Sequence, residues 1–162
     1  MPASELNYRV YAGADSETVG KSATVTYVTP KLTPPPHCIW YVRHLFFTVM
    51  PTTLADFSVS QFQWVLNKVI TSLVSATGVT LSQSVNPLSI PGSLTENANI
   101  GTVGGWIGEL EFSRPIEIDA DLGESVQAGL DVNNSNSSAT NSYVTVFEVE
   151  VIETSKKQVL EA

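Results

Sequence analysis

His37, Cys38 and His44 are the complete histidine and cysteine complement of this 162-residue chain. Any chemistry that needs an imidazole base or a thiolate must therefore use one of these three. A serine–histidine–carboxylate arrangement would need a Gly-x-Ser-x-Gly elbow or an equivalent turn, and none is present; His44 moreover lies within an apolar run, where a satisfied structural role is expected. His37 and Cys38 are adjacent, and adjacent side chains on a strand point to opposite faces, so a thiolate pair is not expected either. The spacing of His37, Cys38 and His44 matches no zinc pattern. Asp119, Asp121 and Glu124 make an oxygen-rich segment, yet in the helical calcium-loop pattern the twelfth position would be Leu130 instead of a glutamate. Paired carboxylates could hydrolyse a glycoside, but spacing alone does not bring any two together. Gly101, Gly104 and Gly105 are followed by no Lys-Ser/Thr, so no phosphate loop is read. The expectation is a protein that is not an enzyme and holds no cofactor and no metal.

The elements that would carry these residues read as β-structure. Leu6, Tyr8 and Val10 alternate with Glu5, Asn7, Arg9 and Tyr11, a loop with Gly13 and Asp15 follows, and Ala23, Val25 and Tyr27 alternate again up to Pro30. Lys31 to Pro36 reads as an extended connector, because proline lacks the amide hydrogen. The run from Cys38 to Met50 is apolar on both faces, which predicts a central strand covered on each side, by the facing sheet and by a helix or another subunit. From Phe62 the spacing Phe62, Val65, Leu66, Val69, Ile70, Leu73, Val74 predicts one inserted helix over 60–76, with Ser60 and Gln63 as a capping box and Gly78 at its end. A strand is the rival there, since Phe62, Trp64 and Leu66 also alternate. Residues 77–108 read as a long polar loop region carrying Trp106 among glycines. Strands are expected at 109–113, 116–119 and 126–132. After the polar turn 133–142, a long closing strand is expected over 143–152. Together these predict an all-β fold, a β-sandwich or jelly roll of about eight strands with one inserted helix. One domain spans residues 1–153, and 154–162 form a polar tail.

The net charge of −8, from 8 Lys+Arg against 16 Asp+Glu, disfavours nucleic acid. Eleven acidic residues between Glu96 and Glu153 face only Arg114 in that stretch. Charged residues make up 15% of the chain, below the usual share of about 25%, so neutral surface is left for contact with a partner. A single cysteine allows no intrachain disulfide. No secretory signal and no bilayer-spanning stretch is read, so membrane insertion is not expected. Asn133 and Asn136 begin glycosylation sequons.

The succession of β segments, the apolar central strand, the acidic segment from Leu110 to Asp119 and the closing strand from Tyr143 to Glu153 resemble single jelly-roll virion proteins of bacterial or archaeal viruses. That resemblance implies a capsid or capsid-associated subunit, assembled in the host cytoplasm and located in the virion. Its partners would be copies of itself and other coat proteins. The alternative is a carbohydrate- or receptor-binding β-sandwich module, with a glycan or receptor as ligand. In either case Trp40, Trp64 and Trp106 are the candidate contact residues.

Overall fold

The computed structural model describes residues 7–74, 80–100 and 103–156. Nine strands follow one another: β1 (Tyr8–Val19), β2 (Ala23–Val28), β3 (Cys38–Pro51), β4 (Phe57–Val74), β5 (Thr80–Gly92), β6 (Thr95–Asn97), β7 (Gly105–Asp119), β8 (Ser125–Asn134) and β9 (Asn141–Ser155). They form a five-stranded sheet in the order β1-β9-β3-β7-β6 and a four-stranded sheet in the order β2-β8-β4-β5, all neighbours antiparallel. With the short β6 set aside, the strands pair from the outside of the chain inward: β1 with β9, β2 with β8, β3 with β7, β4 with β5. The chain is thus all-β, and its two sheets face each other as a sandwich.

Alternation explains the core. On β3 the side chains of Trp40 and Val42, and then of Leu45, Phe47 and Val49, are almost wholly buried. The shift in parity comes from a bulge between Val42 and His44, which leaves both Arg43 and His44 on the outer face. Opposite them, β8 turns in Val126, Ala128, Leu130 and Val132, and β4 turns in Phe57, Phe62, Trp64 and Leu66. Tyr143, Phe147, Val149 and Val151 of β9 complete the core. Phe62 and Trp64 meet edge to face at 4.7 Å, an arrangement that adds about 0.5–1.5 kcal/mol beyond the area they bury.

Several expectations need correction. The helix expected over 60–76 is strand β4 as far as Val74; residues 75–79, including Gly78, lie outside the described residues. Phe62, Trp64 and Leu66 all enter the core, while Val65 and Asn67, on the opposite face, are 7% exposed. Burial on both faces blurred the two-residue period into an apparent helical one. Ser60 caps nothing: the register shifts between Ser60 and Phe62, with Gln61 at φ 54°. The loop expected around Gly13 and Asp15 is a continuation of β1, and β1 turns Tyr11 and Asp15 inward while Tyr8 and Val10 face solvent. Residues 80–97 hold β5 and β6 instead of a loop. The strands expected at 109–113 and 116–119 are one strand, β7, irregular opposite Arg43. The connector expected over Lys31 to Pro36 is as expected, with Leu32 bridging Val126 of β8; just before it Thr29 also bonds to Ala128 and Gln127. β9 runs to Ser155, and residues 157–162 of the expected tail lie outside the described residues.

Candidate interaction surface

Register assigns the side chains on the outer face of the five-stranded sheet. One row across it reads Tyr8, Ile152, Tyr41, Glu117; the next reads Val10, Glu150, His44, Glu111; then come Ala12, Glu148, Phe46, Glu109, and Ala14, Val146, Thr48, Ile107. Val10 is 65% exposed, Tyr8 49%, Val144 40% and Ile107 39%. Among the described residues no helix covers this face, so the second cover expected for β3 is not part of the chain as described. Along β3 the outer face carries Tyr41, then Arg43 and His44, then Phe46 and Thr48, while the columns of β9 and β7 on either side mix glutamates with Ile152, Val146 and Ile107.

Two basic groups enter it, both delivered by the β3 bulge. His44 stacks on Phe46 at 4.0 Å, and its Nε2 is buried 3.2 Å from Glu109 Oε2 without the alignment of a full hydrogen bond. Arg43 donates to the Tyr8 hydroxyl at 3.0 Å and lies over that ring, tying the rim of the sheet to its centre. At one end the face runs into an open apolar groove of about 370 Å³ lined by Ser16, Met50, Pro51, Val103 and Val144.

Apart from His44, the residues singled out for chemistry sit elsewhere, at the end of the sandwich where β3, β7 and β9 meet, and the charged ones among them are paired. Glu124 is 2% exposed and accepts from Lys68 Nζ at 2.8 Å, from the Val69 amide at 3.1 Å and from the Asp119 amide at 2.9 Å. Lys68 also donates to the Glu117 carbonyl. Lys156 lies 2.8 Å from both Asp119 and Asp121, and His37 lies 3.2 Å from Asp121. The Lys156 ammonium, helped by His37, holds the Asp121 carboxyl down at about 2. Two ammonium groups thus occupy the oxygen-rich segment where a cation would have to bind, and among the described residues no group of three or more potential ligands is placed to hold a metal. Cys38 is half-buried with its thiol pushed up by burial and by Glu153 and Asp121, the opposite of an activated nucleophile.

Of the three tryptophans, Trp40 and Trp64 are 1% and 2% exposed and belong to the core. The indole of Trp40 donates to Glu153 at 2.9 Å and packs against Tyr11 at 4.6 Å. Tyr11 donates to the same carboxylate, and its hydroxyl is pushed up to about 12, by burial first and then by Glu153. Trp106 is partly buried against the core from β7, its Nε1 without a hydrogen-bond partner. The structure does not bring the three rings together. Tyr8, Tyr41, Phe46 and Val144 are the outer-face residues that sequence reasoning left out. For Tyr41 and Phe46 the signal was the doubly apolar β3 run, read without knowledge of the bulge that sorts it.

Fold and surface together define a two-sheet antiparallel β-sandwich in which, among the described residues, no helix covers the outer face of the five-stranded sheet. No family model matches the chain, and no curated protein matches it. A solved structure described as that of infectious bursal disease virus, Gt strain, aligns at 12% identity over 91% of this chain and 41% of that one, with a TM-score of 0.18. The chain spans less than half the length of that protein, and a score this low does not establish a shared fold.

Proposed function

We propose that the protein is a structural assembly subunit, a jelly-roll subunit of capsid type, that works through protein–protein contacts with copies of itself and with other coat proteins. The observation that carries this reading is the strand order. Pairing from the outside inward, split between two sheets, is the order expected of a jelly roll's double Greek key, an architecture used by capsid and lectin domains, and it supports this reading. Function does not follow from fold, so the uncovered outer face supplies the second support. Tyr41, Phe46 and Val144 offer apolar area there, and flanking carboxylates supply orientation. For the lectin-like alternative, Trp40 and Trp64 are core residues and offer no stacking surface, which weakens that reading. The test is the light-scattering mass of the purified chain over a range of concentrations. A closed oligomer, or growth into large particles, is expected; a monomer at every concentration overturns the reading.

A further inference from the structure

The sandwich has four strand edges, and three are blunted in recognisable ways. β5 carries Pro87 and Pro91, the edge of β7 beyond β6 carries Arg114, Pro115 and several glutamates, and β2 has only six residues before Pro30. The fourth, β1, is twelve residues long, contains no proline, is small in the middle at Ala12, Gly13 and Ala14, and pairs only with β9 among the described residues. The amide of Glu153 donates to the Asn7 carbonyl at 3.0 Å, so the odd-numbered residues from Asn7 onward turn their backbone groups toward β9. Tyr8, Val10, Ala12, Ala14, Ser16 and Thr18 therefore present theirs to the open side.

We propose that β1 is a self-complementary edge that pairs antiparallel with β1 of a second copy about a two-fold axis at Gly13, joining two five-stranded sheets into one. This rests on the assembly reading and names its contact. Antiparallel pairing requires outward-directed backbone groups to meet, which limits the register to even residue against even residue. With the axis at Gly13, Tyr8 meets Thr18, Val10 meets Ser16 and Ala12 meets Ala14 as hydrogen-bonded pairs. The closer, non-hydrogen-bonded pairs then include Arg9 opposite Glu17, twice by symmetry. Shifting the axis to Ala14 places Arg9 opposite Val19, and shifting it to Ala12 shortens the overlap and places Arg9 opposite Asp15, a carboxylate already held by the Tyr27 hydroxyl. The charge match matters because each copy carries a net charge of −8, so a two-fold contact closes only where opposite charges face each other. Opposite charges directly across an antiparallel pair are favourable, and like charges there are not.

The experiment is sedimentation equilibrium of the full chain and four variants, with far-UV circular dichroism to confirm that each folds. Arg9→Glu and Glu17→Arg each place like charges across the axis and are expected to weaken the two-fold contact at least tenfold. The Arg9→Glu/Glu17→Arg double variant restores the match and is expected to regain most of the lost affinity. Ala14→Pro removes an outward amide without touching the ladder to β9 and is expected to abolish the contact. Wild-type assembly that survives both Ala14→Pro and Arg9→Glu unchanged overturns the β1 pairing while leaving the assembly reading in place. A folded double variant that stays as weak as the single ones overturns the register. A wild-type chain that is monomeric throughout overturns both.

Discussion

Removing the Glu124 side chain tests the polar bolt between the sheets. Its carboxylate joins Lys68 and Val69 of β4, in one sheet, to the Asp119 amide at the end of β7, in the other. Glu124→Ala deletes the acceptor for all three donors. Two of these are backbone amides, each costing about 1–3 kcal/mol if left unsatisfied in a buried site. The third is an ammonium whose side chain is 24% exposed and can turn partly to water. Summed, the loss falls within the range of about 3–5 kcal/mol for breaking a buried ion pair from one side. In a chain of this size each kcal/mol moves Tm by about 2–4 °C, so Glu124→Ala is expected to lower Tm by about 6–20 °C. Lys68→Ala is expected to cost less, about 1–2 kcal/mol, because the carboxylate keeps both backbone donors and the lysine was partly solvated already. Thermal melts followed by circular dichroism supply the numbers. The reasoning fails if Glu124→Ala melts within about 3 °C of wild type, or if Lys68→Ala is the more damaging of the two.

The Asp121 carboxyl lies below its ordinary value, so the ionic tie it makes is complete above about pH 4 and is lost as pH falls through about 2. Carbon-detected NMR titration is expected to place its midpoint near 2, moving up toward the ordinary carboxylate range in Lys156→Met; an unchanged midpoint in that variant refutes the assignment. Gly105 lies against β3 so closely that a Cβ there would sit 2.4 Å from the Val49 carbonyl oxygen. Gly105→Ala is therefore expected to cost about 1–3 kcal/mol by displacing the start of β7 from β3, measured as a lower midpoint in urea. Full wild-type stability in that variant would contradict the close approach.

Strands whose faces differ were legible from the sequence, and strands covered on both faces were not. β9 alternates Tyr143, Thr145, Phe147, Val149 and Val151 inward against polar or half-exposed neighbours, and its period survives on the page. β4 has Val65 and Asn67 buried on the face away from the core, so apolar spacing there imitates a helix. β5 was hidden by Pro87 and Pro91, residues that a strand tolerates at an edge, a fact known only once the sheet order is known. The bulge at Arg43 and the irregularity it faces in β7 likewise divided one strand into two apparent ones. The acidic character of the last third was plain, but which carboxylates meet a lysine was not. Lys68 reaches Glu124 across 56 residues of chain, and no local pattern records that.

The outside-in pairing also sets a timetable. β1 is made first, yet its partner β9 is made last, with Val19 opposite Asn141 and Tyr8 opposite Ile152. At synthesis rates of about 5–20 residues per second, the first strand waits roughly 6–25 s after emerging before its ladder can close. Through that interval the middle hairpin of β4 and β5 already has both of its strands at hand, so its pairing is available before that of β1 with β9. A nascent chain therefore carries β1 with both of its sides open, which makes neighbouring chains on one message competitors for the place that β9 will take.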